Sequence, residues 1–110
     1  MTASLTEFAT KGEAAVARRL VRAALAEGLS ISVWEGEDWA LKRSTNAREI
    51  FDNMATTGCD TLRLRDAQGE YVGFFSLVYG NDPDGEDLLS NYSDNELCER
   101  LAKIAYREFA

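Results

Sequence analysis

The stretch TLRLRDAQGEYVGFFSLVY, residues 61–79, decides the fold. From Thr61 to Arg65 the side chains alternate. Leu62 and Leu64 face one way, and Thr61, Arg63 and Arg65 the other, as in a half-buried strand. Asp66-Ala67-Gln68-Gly69 reads as a turn, with Gly69 where a positive φ is tolerated. Glu70 to Tyr79 follows as the strongest strand in the chain. It offers Val72, Phe74, Ser76 and Val78 on one face and Tyr71, Gly73, Phe75, Leu77 and Tyr79 on the other. A strand apolar on both faces belongs in the middle of a sheet.

A second hairpin lies upstream. Leu29, Ile31 and Val33 alternate with Ser30, Ser32 and Trp34. Glu35-Gly36-Glu37-Asp38 turns the chain, and Trp39 to Ser44 returns. Helices fill the remaining segments. Ser4 and Glu7 form a capping-box pattern ahead of one apolar face running from about Ser4 to Glu27, through Leu5, Phe8, Gly12, Ala15, Val16, Leu20, Ala23 and Ala24. Gly28 is placed to end that helix in a left-handed conformation. Asn46 and Glu49 cap a short helix to about Ala55. Ser93 and Glu96 cap a last one bearing Leu97, Cys98, Leu101, Ile104, Ala105 and Phe109. Gly80 to Tyr92 reads as a long loop. The expected fold is a single α+β domain over residues 1–110, in the order α-β-β-α-β-β-α. It is a two-layer sandwich, a four-stranded, mainly antiparallel sheet with its helices on one face. The other face carries some of Trp34, Lys42, Arg63, Arg65, Tyr71 and Phe75, according to register.

Composition fits that reading. A chain of 110 residues, 45% hydrophobic and 28% charged, has enough apolar surface for a core without staples. Neither a secretory leader nor a membrane-length apolar run is present, so a cytoplasmic protein is expected. Cys59 and Cys98 have no paired-ligand spacing and read as free core thiols.

Charge is the strongest functional clue. Between Asp66 and Glu99 stand nine acidic residues and no Lys or Arg, although the whole chain carries only −7. The remainder is therefore slightly basic. Such a field favours a cationic partner surface and opposes direct contact with a nucleic-acid backbone. Its densest part is Asn81-Asp82-Pro83-Asp84-Gly85-Glu86-Asp87. Hard cations take oxygen ligands of this kind, but an EF-hand alignment from Asp82 misplaces the glycine and lacks the closing Glu. The loop reads either as a solvated turn or as a comb of carboxylates for Lys and Arg on a partner. Trp34 and Trp39 flank the other acidic turn, either as a cross-strand pair or as an interface anchor. Arg63, Arg65, Tyr71 and Phe75 suggest a basic and aromatic sheet face suited to self-association.

Catalysis has little support. The chain has no histidine to activate either thiol. It has no GxGxxG, P-loop or GxSxG motif. A non-enzymatic protein without cofactor or metal is expected.

Three stretches, Trp34 to Thr45, Asp60 to Asp66 and Leu77 to Asp82, resemble small proteins of unassigned function from phages and prophages of Gram-negative bacteria. The resemblance covers about half the chain and assigns no residue a role. It implies a setting in which small acidic proteins, anti-CRISPR and other anti-defence inhibitors among them, bind and block host machines. The combined expectation is an inhibitor docking on a basic, nucleic-acid-handling protein. Asp82, Asp84, Glu86, Asp87 and Asp94 supply the attraction, and an aromatic among Trp34, Trp39, Tyr79 and Tyr92 supplies the anchor. The alternative is a homo-oligomeric structural, assembly or regulatory protein, such as a homodimer joined through Arg63, Arg65, Tyr71 and Phe75.

Overall fold

The computed structural model describes residues 8–107. Three helices and five strands follow in the order α1 (Lys11–Ala26), β1 (Ser30–Trp34), β2 (Trp39–Ser44), α2 (Ala47–Asp52), β3 (Cys59–Arg65), β4 (Tyr71–Val78), β5 (Leu89–Tyr92) and α3 (Glu96–Tyr106). The strands form one sheet ordered β2-β1-β3-β4-β5, and every neighbouring pair is antiparallel. The class is α+β, with five strands in place of the expected four. The extra strand comes from the last part of the expected loop. Leu89-Ser90-Asn91-Tyr92 pairs with Phe75 to Leu77 along the outer edge of β4. A four-residue strand with two exposed polar residues gives too short an alternation to stand out in sequence.

The helices cover the sheet face that carries Ile31, Val33, Leu62, Leu64, Phe75 and Leu77, each no more than 1% exposed. Their partners in the core include Val16, Leu20 and Val21 of α1, Ile50 of α2, and Leu101 and Ala105 of α3. Among the described residues no helix packs on the opposite face.

Local chemistry explains the boundaries. Thr10 is extended and caps α1, so this helix begins at Lys11 and is not continuous from Ser4. The Ser4–Glu7 cap lies outside the described residues. Gly28 follows the C-cap with φ 83°, as expected. Asn46 caps α2 through the Glu49 amide. For α3 the capping side chain is Asn95, which accepts from the Cys98 amide at 2.8 Å. Ser93, the expected cap, accepts from the Phe74 amide at 3.0 Å and ties β4 to the segment before the helix. Both cysteines are free. Cys98 is buried as expected, but Cys59 is exposed.

Register settles which aromatics face the helices. Leu62 stands opposite Phe75 and Arg63 opposite Phe74, so Phe75 lies in the core, fully buried, and not on the open face. Its ring stacks on Tyr92 at a centroid distance of 5.3 Å. Phe75→Ala is expected to lower stability by about 3–5 kcal/mol, as large buried aromatics do. The half-buried Phe74→Ala should cost clearly less. Urea denaturation of the two variants checks this, and equal losses would contradict the register.

Candidate functional site

The acidic loop between β4 and β5 is built onto the first turn of α1. Thr10 and Glu13 form a capping box: the Thr10 hydroxyl accepts from the Glu13 amide at 3.1 Å, and Glu13 Oε1 accepts from the Thr10 amide at 3.0 Å. The same carboxylate reaches across to the loop. Oε1 also accepts from the Gly80 amide at 2.7 Å, and Oε2 accepts from the amides of Asn81 and Asp82, each at 3.0 Å. Glu13 is wholly buried. Burial alone pushes its carboxyl up, but the amides of Thr10, Gly80, Asn81 and Asp82 outweigh this and hold it below the ordinary carboxylate value.

Two further bonds seal the joint. The Thr10 hydroxyl donates to the Asp82 carbonyl at 2.7 Å, and the Gly12 amide to that of Pro83 at 3.1 Å. The approach demands glycine on both sides. A Cβ on Gly12 would lie 2.2 Å from the Pro83 carbonyl oxygen, and one on Gly85 2.5 Å from that of Gly12.

Within the loop the carboxylates divide. Asp82 turns inward and accepts from the Asp84 amide at 2.9 Å and the Asp87 amide at 3.2 Å. Leu88 is fully buried and pins the far end. Asp84, Glu86 and Asp87 are exposed. None of them makes an ion pair among the described residues, where Arg100–Glu27 at 2.7 Å is the pair present. No group of three or more metal-ligating side chains comes together among the described residues.

Three expected members of the docking set, Asp94, Tyr92 and Tyr79, lie elsewhere. Asp94 follows the far end of β5, so the length of that strand separates it from the loop. With Tyr92, Glu99, Ala102, Lys103 and Tyr106 it lines a cleft of about 410 Å³. Tyr79 is 6% exposed and cannot serve as a surface anchor. Its hydroxyl donates to Asp60 Oδ2 at 2.7 Å, and the Ala55 amide donates to the same oxygen at 2.7 Å. Asp60 Oδ1 is buried without a partner. Desolvation is the main cause that raises the Asp60 pKa, and Glu35 adds to it. The bonds from Ala55 and Tyr79 oppose the rise, leaving the value at about 6.

Trp34 and Trp39 stand opposite each other across the β1–β2 hairpin. Their rings meet edge to face at 5.1 Å and 71°. Each is half-buried, and the pair closes the hairpin end while leaving part of both indoles exposed.

The open sheet face is shaped by irregular strand pairing. Ile31 pairs with Ser44 and Val33 with Leu41, so Lys42 and Arg43 together oppose Ser32. This is a bulge, with two residues against one. Arg43 takes a left-handed φ of 51°, and its amide donates to the Ser32 hydroxyl at 2.8 Å. A further irregularity, between β3 and β4, pairs Arg65 with Tyr71. Arg63 then lies over the Tyr71 ring at 4.6 Å and 6.0 Å from that of Trp39. Ser32, Trp39, Lys42, Arg43, Arg63 and Arg65 enclose a cleft of about 190 Å³. The expected basic and aromatic face is therefore present with Arg63, Arg65 and Tyr71, without Phe75, and with Trp39 added.

Sequence reading missed Glu13. Its signal was present, since Thr10-Lys11-Gly12-Glu13 is itself a capping-box pattern, but nothing local shows that the carboxylate also serves a loop some 70 positions away. No family model, curated protein or solved structure matches this chain.

The two buried carboxyls give stability opposite pH dependences. Asp60 has a raised folded pKa, so its contribution is complete below its unfolded value near 3.8 and is lost as pH rises through about 6. Glu13 has a lowered one, so its contribution is present above its unfolded value near 4.5 and is lost as pH falls through the folded value. Urea denaturation between about pH 4.5 and 7.5 should therefore show an Asp60-dependent decline in stability toward neutral pH, and Asp60→Asn should flatten it. A slope identical in wild type and variant would contradict the assignment.

Proposed function

We propose that this protein is a non-enzymatic binding protein that docks its β4–β5 loop on a cationic surface of a protein partner. The observation that carries the reading is the Glu13 anchor. Four backbone amides converge on one buried carboxylate, and the loop is thereby fixed with Asp84, Glu86 and Asp87 outward and unpaired. A fixed set of charges loses less conformational freedom on binding than a mobile one. Charge complementarity of this kind mainly raises the association rate and selects the partner. Among the expected anchors, Trp34, Trp39 and Tyr92 are part-exposed, and Tyr92 lies at the far end of β5, so the Trp34–Trp39 pair on the β1–β2 hairpin is taken as the aromatic contact. Asp82 acts within the loop, as the acceptor that shapes it.

The inhibitor setting enters through resemblance and charge. A partner that grips nucleic acid presents the Lys- and Arg-rich surface such a loop would fit, and occupying it would block access for phosphates. The rival reading, a two-fold dimer through the open sheet face, meets a physical objection. A two-fold contact places the same patch on both sides. It would set Lys42, Arg43, Arg63 and Arg65 against their own copies, with no carboxylate paired to them in the described structure.

The test is affinity capture from the native host's lysate at low salt, with mass spectrometry. Wild type is compared with the triple variant Asp84→Lys, Glu86→Lys, Asp87→Lys, which leaves Asp82 and Glu13 in place. The expected result is a protein with a basic surface, captured by wild type, lost with the variant and released by salt. An identical capture list for both proteins would overturn the reading.

A further inference from the structure

We propose that the cleft on the open sheet face is a binding site for a nucleoside monophosphate, with the phosphate held by Lys42, Arg43 and Arg65 and the base laid against the Trp39–Arg63–Tyr71 row. This surface is distinct from the acidic loop and shares Trp39 alone with the docking reading; the variants that test it, at Lys42, Arg43 and Arg63, leave the loop and both tryptophans in place.

The argument begins with the cations. In a regular strand Lys42 and Arg43 would point to opposite faces. The bulge opposite Ser32 instead brings both to the rim of one cleft, with Arg63 and Arg65 on its other side. Four like charges around about 190 Å³ repel one another, and no carboxylate forms an ion pair with any of them among the described residues. An anion entering the cleft relieves that repulsion. Two of the three cations assigned to the phosphate are arginines, whose planar forks suit its paired oxygens; Arg65 Nη1 already donates to the Gly69 carbonyl at 3.0 Å, and its remaining N–H groups are the ones offered to the ligand.

Size and surroundings narrow the ligand. The cleft is smaller than the ~300–1,000 Å³ of typical small-molecule pockets, so it suits a compact anionic group with the rest of the ligand lying outside it. Outside it lie aromatic surfaces. Tyr71 is 44% exposed, unusual for a large ring, and Arg63 covers part of it while reaching toward Trp39. Aromatic rings interleaved with arginine are a stacking platform for a base. The net charge of −7 opposes a long polyanion, whose phosphates would extend beyond the local cationic patch. It opposes a single phosphate with one attached ring much less.

The test is titration of the intact protein with AMP at low ionic strength, read by heat and by the indole and amide resonances of Trp39, Ser32 and Tyr71. Adenosine, inorganic phosphate and O-phosphoserine are run as parallel ligands. AMP is expected to saturate with shifts confined to this face, and each of the other three to bind at least about tenfold more weakly. Lys42→Gln with Arg43→Gln should weaken AMP by about tenfold or more, while unchanged denaturation midpoints show that the fold is intact. Arg63→Gln provides a second variant with the same expectation. No saturable AMP binding up to about 10 mM, or binding unaffected by these variants, overturns the proposal. Inorganic phosphate or O-phosphoserine binding as tightly as AMP overturns the assignment of a nucleoside.

Discussion

The structure depends on one carboxylate. Glu13 sits inside the protein, where an unpaired charge would be strongly unfavourable. It is tolerated because four backbone amides point at it, one from its own helix cap and three from successive residues of a distant loop. The dependence runs both ways. Those three loop amides follow directly on the end of β4 and would lack partners once covered by α1. Removing the carboxylate would strand donors as well as lose bonds. This shared requirement, and not loop propensity, holds the most acidic segment of the chain against the helix layer. The facing glycines at 12 and 85 let the two backbones approach closely enough for it to work.

The fold brings together one local cluster of each sign. The acidic loop packs on the N-terminus of α1, whose helix dipole favours negative charge nearby. Four cations, Lys42, Arg43, Arg63 and Arg65, meet on the open face of the sheet, where strand irregularities bring them together. A chain with net charge −7 thus presents two surfaces of opposite sign. Among the register shifts of the sheet, the one opposite Ser32 brings Lys42 and Arg43 to the cleft, and the one between β3 and β4 sets Tyr71 beside it, under Arg63. Bulges are often found where a protein aims side chains at a ligand.

Much of the fold was legible in the sequence, because it rests on short-range patterns. The alternation in Ser30 to Trp34 and Thr61 to Arg65, the two hairpin turns and the glycine after α1 all appear where local chemistry puts them. The failures share one physical cause, dependence on contacts distant in sequence. Strand β5 is too short to read without its partner β4. Ser93 looked like a cap, yet its hydroxyl serves the Phe74 amide, and Asn95 takes the cap. Tyr79 sat in an alternating strand like its neighbours. Only the fold shows that its hydroxyl serves the buried Asp60. The candidate site was half legible. The acidity of residues 82–87 was plain, but its inward and outward division was not, because it rests on which amides the Asp82 side chain meets once the loop is folded. The pairing of Lys42 with Arg43 on one cleft was hidden by the bulge, which strict alternation would have denied.

The most direct test of the Glu13 anchor is amide hydrogen exchange resolved by residue. If the loop is held as described, the amides of Gly80, Asn81 and Asp82 exchange slowly, at rates approaching those of the interior of α1, although Gly80 and Asn81 are at the surface. The Glu86 amide exchanges quickly. Gly80, Asn81 and Asp82 exchanging at the rate of an open loop would contradict the account.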